Sequence, residues 1–294
     1  MLKKIILVFT IVMFSLIVST IRPSLNTSVL ESYCVNYSLE HENFYSIPGL
    51  NTTYVPQGLC VLKNENYTYR LITAYDSSNH QNSCLYVIST NGEHIKTLFF
   101  DDSIGLHVGG ITSNSSGSYV YVCDSLNNLI RIYSADLIHS SFDGKIIKEL
   151  ISYPVEYIPS FISYDNSNNC LLIGSFSKNN SSKLVQYSLD LKKIDEILIP
   201  KRIQGVTKLS TGQLVLSQSY GCNNDSSLLI GHIENKKFYA DSEITLPPGL
   251  EEIYCTENNN IFLLFESSAK KFKSMKPISN VILLLLDKEK VNIH

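Results

Sequence analysis

Short apolar runs alternate with clusters of turn-forming residues along this chain, and the alternation has a long period. Five segments each open a strand-like run: Pro56–Leu59, Val108–Ile111, Pro159–Ile162, Ile203–Val206 and Leu250–Ile253. Their aliphatic anchors, Leu59, Ile111, Ile162, Val206 and Ile253, are separated by 52, 51, 44 and 47 residues. Such a period matches one four-stranded unit of a repeat architecture. Thirteen residues after the later anchors stand Asp124, Ser175, Ser219 and Glu266. The equivalent in the first unit is Asp76, displaced to seventeen by the longer loop Asn64–Thr68. Each of these polar residues ends a second apolar run, such as Tyr119–Cys123 or Ile261–Phe265. Asn, Ser and Gly fill the turns between the runs.

Third runs follow at Cys84–Ile88, Leu129–Tyr133, Lys183–Tyr187, Leu228–His232 and Val281–Leu285, and fourth runs at His94–Leu98 and Lys192–Leu198. No stretch carries helical periodicity. A four-stranded sheet that is apolar on both faces cannot bury both alone, whereas radial stacking with closure does. The expected fold is therefore all-β: a five-bladed β-propeller of four-stranded antiparallel sheets spanning residues 54–294. Residues 25–53 precede it, and Tyr33–Tyr45 is expected to add an outer strand to the last blade and latch the ring. Six blades is the alternative count, with this segment as part of a degenerate unit.

At the N-terminus, Lys3 and Lys4 precede an almost purely apolar run over residues 5–21. Basic residues followed by an apolar core mark an export signal, here over residues 1–24, either cleaved or kept as an anchor helix. Either fate predicts a secreted or extracytoplasmic protein that touches a membrane only through that segment. The net charge of −3, with no basic cluster among aromatics, gives no basis for nucleic-acid binding.

Seven cysteines include no Cys-x-x-Cys pair, which disfavours a zinc or thioredoxin-like site. Most lie in apolar runs and read as small core residues, while Cys34 and Cys222 have polar neighbours. Eight Asn-x-Ser/Thr triplets, from Asn26 to Asn224, would be glycan acceptors in a eukaryotic secretory route.

In a propeller, the start of the innermost strand and the end of the second share one face of the disc. That places Gln57, Gly109, Ser160, Gln204 and Glu251 beside Asp76, Asp124, Ser175, Ser219 and Glu266 at one mouth of the central channel. Glu252 and His107 belong there too. Three readings of this rim stand open. Asp76, Asp124, Glu252 and Glu266 could supply oxygens to a divalent cation such as calcium. A metal could polarise a substrate while His107 or a carboxylate moves a proton. Or these are turn residues at a wet edge. The chain carries no Gly-x-Ser-x-Gly elbow, Walker loop, His-Glu-x-x-His or dinucleotide fingerprint.

Tyr54–Gly58, His107–Ile111, Gln204–Val206 with Ser217–Gly221, and Leu263–Ser267 together resemble exported bacterial propeller proteins. These are grouped loosely with the gluconolactonase and calcium-dependent phosphotriesterase-like propellers. The resemblance spans about residues 50 to 270. It implies a propeller fold and, for that group, six blades and one divalent metal held by Glu, Asn and Asp; this chain shows five repeats. Two functions follow as expectations. The first is a non-catalytic propeller that binds a small molecule, carbohydrate or protein at the mouth. The second is a calcium-dependent hydrolase of the lactonase or phosphotriesterase type.

Overall fold

The computed structural model describes residues 27–35, 39–104, 107–272 and 276–286. The segment expected to act as a signal lies outside these residues, and no helix among them is long and apolar enough to cross a membrane.

The described chain opens with helix α1 (Thr27–Cys34) and strand β1 (Glu40–Ser46). The first repeat forms β2 (Tyr54–Lys63), β3 (Thr68–Asp76), β4 (Cys84–Ile88) and β5 (His94–Phe100). The second forms β6 (Val108–Ser113), β7 (Tyr119–Asp124) and β8 (Leu129–Ser134). Helix α2 (Ala135–Ser140) and strands β9 (Ile146–Ile147) and β10 (Ile151–Pro154) follow it. The third forms β11 (Phe161–Asp165), β12 (Cys170–Gly174), β13 (Ser182–Tyr187) and β14 (Lys193–Ile199). The fourth forms β15 (Ile203–Lys208), β16 (Leu214–Gln218), β17 (Ser226–Glu234) and β18 (Lys237–Leu246). The last forms β19 (Leu250–Cys255), β20 (Ile261–Phe265) and β21 (Asn280–Leu285).

The fold is all-β and propeller-like. Sheet order is β2-β3-β4-β5-β9, β10-β8-β7-β6 and β1-β21-β20-β19. The third and fourth repeats form one eight-stranded sheet. They are joined at their outer edges by a single parallel pair, Leu198 with Lys237. The first strands pack in order, β2 beside β6, then β11, β15 and β19, and β19 returns to β2.

Strand alternation explains the stacking. On β7, Val120 and Val122 join a core with Leu62, Leu71 and Val87 of the first repeat. Tyr121 and Cys123, on the opposite face, join Ile162, Leu171 and Val185 of the third. Further cores lie between the third and fourth repeats, the fourth and last, and the last and first. Polar cross-links repeat between neighbours. Thr112 Oγ1 accepts from Tyr164 N, and Thr207 Oγ1 accepts from Cys255 N, each at 3.1 Å. At the seam between last and first repeats, the Arg70 guanidinium lies 4.4 Å from the Phe44 ring centre and 5.7 Å from that of Phe262.

Three sequence expectations need correction. Helical stretches exist: Leu30 and Cys34 of α1, four residues apart on one face, bury into the core between the fourth and last repeats. The second is α2, which fills the place where the second repeat would have run into its outer strand and delays that strand to Ile151. Cys34 is therefore buried despite its polar neighbours in sequence, because the helix turns it inward. Cys255, expected inside, is half-buried.

Candidate functional site

The strand register sets the ends of the first and second strands side by side. Tyr54 pairs with Asp76, Val108 with Asp124, and Leu250 with Phe265. Four of the five first strands carry a bulge at this end: between Pro56 and Gly58, Val108 and Ile111, Ile203 and Gly205, and Leu250 and Glu252. A bulge leaves one residue outside the ladder and re-aims its side chain. Gln57, Gln204 and Glu251 occupy those positions. Third-repeat pairing is regular, and Ser160 precedes it.

Glu252 points between neighbouring strands. A Cβ at Gly205 would stand 2.3 Å from its Oε1, and one at Gly110 would stand 2.9 Å from its Oε2. Glycine at both positions therefore makes room for this carboxyl. Its Oε1 accepts from the Ile253 amide at 3.0 Å, whereas Oε2 is buried without a partner among the described residues. Burial holds its pKa well above the usual carboxylate range.

Glu251 and Glu266 form the centre of the mouth. Glu251 is 7% exposed, and its buried Oε2 has no hydrogen-bond partner among the described residues. Burial, then the neighbouring charges of Glu266 and Glu252, raise its pKa well above normal. Glu266 is pushed up to about 7 by burial, against the opposing pull of Lys271 and of a hydrogen bond from Gln57. That bond runs from Gln57 Nε2 to Glu266 Oε2 at 3.4 Å. Beside them the Tyr75 and His107 rings stack at 4.5 Å. Lys271 donates to the Tyr75 hydroxyl at 2.7 Å and lies over that ring. His107 as a residue is exposed, with its ring packed on Tyr75. The surrounding wall and then the charge on Lys271 lower its pKa, favouring a neutral imidazole.

Asp76 and Asp124 stand at this end, but their carboxylates are occupied. Asp76 accepts from Ser78 N, Ser78 Oγ, His80 N and Gln81 N at 2.6 to 3.2 Å. Burial alone would raise its pKa, but these bonds outweigh it and hold the carboxyl far below its usual range. Asp124 accepts from Asn127 and from Arg131 Nε, the latter at 2.8 Å, with both partners of the ion pair buried. Ser175 Oγ donates to Ile158 O, and Ser219 Oγ accepts from Ser226. Gln204 is half-buried.

Of the four carboxylates expected to hold a metal, Asp76 and Asp124 are engaged by hydrogen bonds, whereas Glu252 and Glu266 are not held in this way. Among the described residues no group of three or more His, Cys, Asp or Glu is arranged to hold an ion. Two of the four carboxylates are turned into their own loops.

The pattern missed Tyr75 and Arg131. Arg131 carried a usable signal, a lone charge inside the apolar run Leu129–Tyr133, seven residues after Asp124. The stack of Tyr75 on His107 carried none. At the opposite end of the ring a concavity of about 1070 Å³ opens among the hairpin turns, lined by Thr112, Ser163, Asp165, Thr207, Lys208 and Tyr254.

The sequence matches no known protein family, and no curated protein matches it. Solved structures are similar in fold. Hydrazine synthase from Kuenenia stuttgartiensis has a TM-score of 0.47 at 10% identity, over 74% of this chain and 58% of that one. The nidogen/laminin complex gives 0.46 at 12%, over 81% and 82%. A putative oxidoreductase (glucose dehydrogenase) from Thermus thermophilus gives 0.45 at 10%, over 84% and 100%. The chain thus spans under three fifths of the hydrazine synthase chain, and likenesses this distant speak to no activity.

Proposed function

We propose that this chain is an exported five-bladed β-propeller that binds a small polar ligand at the mouth formed by Gln57, Tyr75, His107, Glu251 and Glu266. The count of five treats the eight-stranded sheet as two blades joined at their rims by one residue pair, with β1 as the outer strand of the last blade. Residues 54–294 then form the propeller, and residues 25–53 supply its latch. The apolar run over residues 5–21 directs export, as a cleaved signal or a retained anchor. The resemblance to lactonase-type propellers is kept as one of fold; no hydrolytic step is assigned.

One observation carries the binding reading: the buried, unpartnered Oε2 of Glu251 beside Glu266. A buried polar atom without a partner costs about 1–3 kcal/mol, and a ligand offering a donor removes that cost. The stacked Tyr75 and His107 rings add a flat apolar wall of the kind that sugars use, next to amide and carboxyl groups. The ligand class is a hydroxyl- or ammonium-bearing small molecule.

Methylammonium, glucose and glucosamine are suitable probes for the purified full-length chain, read by melting temperature and calorimetry between pH 6 and 8. An ammonium probe is expected to bind more tightly as pH rises through about 7, where Glu266 loses its proton. If no probe acts, or if its effect survives in Glu251→Gln/Glu266→Gln, the mouth is not the binding site.

A further inference from the structure

Beside Ser219, on the loops at the mouth end of the third and fourth repeats, two cations share one aromatic ring. The Arg202 guanidinium carbon lies 4.7 Å from the Tyr220 ring centre, and Lys178 Nζ lies 4.9 Å from it. Lys201 adds a third positive charge next in sequence. Among the described residues no ion pair joins any of the three to a carboxylate. The ring faces the cations with its negative quadrupole but supplies no hydrogen-bond acceptor to them.

Arg202 is held in place rather than left to swing. Its amide donates to Ser177 O at 2.7 Å, its carbonyl accepts from Ser219 N at 2.9 Å, and its Nε donates to Lys178 O at 3.1 Å. Its φ of +66° is in the left-handed region, which a side-chain-bearing residue adopts only where its surroundings enforce it. With Nε committed to the backbone, the two terminal guanidinium nitrogens form no hydrogen bond among the described residues. A planar fork with two free donors suits an oxyanion, and an ammonium on the same ring supplies a second point charge.

We propose that Arg202 and Lys178, seated on Tyr220, form an oxyanion-binding site beside the mouth, for a carboxylate, sulfate or phosphate group. It uses none of the residues of the mouth cluster and stands independently of the ligand read there.

The test titrates the full-length chain with sodium phosphate, sodium sulfate and sodium acetate against sodium chloride at matched ionic strength, following melting temperature and binding heat. At least one oxyanion is expected to raise the melting temperature beyond chloride. A response to phosphate or sulfate without acetate assigns a tetrahedral group, and a response to all three assigns any oxyanion. Arg202→Gln and Lys178→Gln should each weaken binding about tenfold. Lys237→Gln, which removes a cation from the Tyr239 ring 5.1 Å away, should leave it unchanged. Arg202→Gly relieves the left-handed backbone and keeps the fold, so loss of binding there reports the missing guanidinium. Equal shifts with chloride, or undiminished oxyanion binding in the Arg202 and Lys178 variants, would overturn the site.

Discussion

Asp124 and Glu251 lie at the same end of the molecule, both buried, yet their surroundings are opposite. Asp124 is matched by the Arg131 guanidinium and by Asn127. Glu251 has a carboxyl oxygen with no partner among the described residues, and two acidic neighbours, Glu266 and Glu252. Asp76 belongs with Asp124: four donors from its own loop surround it. Residues that similar spacings bring to one rim thus divide into corner pieces that hold loops and a cluster with unmet polar capacity. Complete hydrogen bonding is what stability needs, and incomplete bonding at an open mouth is what binding can use.

Removing a corner piece should cost most. Asp124→Ala leaves the buried Arg131 guanidinium with Glu149 and Ser103 as its remaining hydrogen-bond partners, and breaking a buried pair in this way costs about 3–5 kcal/mol. Denaturant melts of the variant would measure it. A loss below about 1 kcal/mol would mean that the pair behaves as a surface one and that the division fails. Asp76→Ala is expected to cost less, about 1–3 kcal/mol, because water can reach part of its half-buried loop to replace the acceptor. Since hydrogen bonding depresses the Asp76 pKa, its contribution is full above the ordinary Asp range and fades as pH falls below it. Acid melts of wild type and variant should therefore converge at low pH.

The sequence pattern carried the corners and only part of the mouth. Strand length plus turn length fixes the period, so the thirteen-residue steps from Ile111 to Asp124 and from Ile253 to Glu266 reflect backbone geometry and could be counted. The bulges could not be counted, because one extra residue in a ladder changes no composition; yet they decide where Gln57 and Glu251 point. The outer strand of the second repeat was hidden for a different reason. Ser134 to Leu150 inserts a helix and an edge strand before the chain returns at Ile151, and Ile151 and Leu150 stay exposed there. Chemistry was least legible where it arises from contact between distant segments, as when Lys271 meets Tyr75.

The mouth should answer in the opposite sense to the corners. Glu266→Gln keeps the shape and the bond from Gln57 while removing a carboxyl whose pKa is raised in the folded chain. A group raised in this way favours the folded state fully below its unfolded pKa, near 4.5, and that contribution is lost as pH rises through about 7. Wild type is therefore expected to lose stability between those limits, and Glu266→Gln to lose less. Melting curves at pH 5 and pH 8 should cross or converge, with the variant equal or better at the higher pH. An unchanged slope would place Glu266 in water and dissolve the contrast with Asp124.

The smallest effect expected is a partial recovery, and it concerns the room around Glu252. Gly205→Ala places a methyl against Glu252 Oε1 and, at 2.9 Å, against Ser217 Oγ. Overpacking of this kind costs about 1–3 kcal/mol. Combining it with Glu252→Ala removes the first clash and the buried carboxyl together, so the double variant should recover part of the loss. Additive losses in the double-variant cycle would mean that Ser217 Oγ and the Glu251 carbonyl, rather than the Glu252 carboxyl, exclude a side chain at position 205. The φ of Gly205 is not among the positive values along this chain, so backbone freedom gives no reason for glycine there, and recovery is the outcome that the geometry requires.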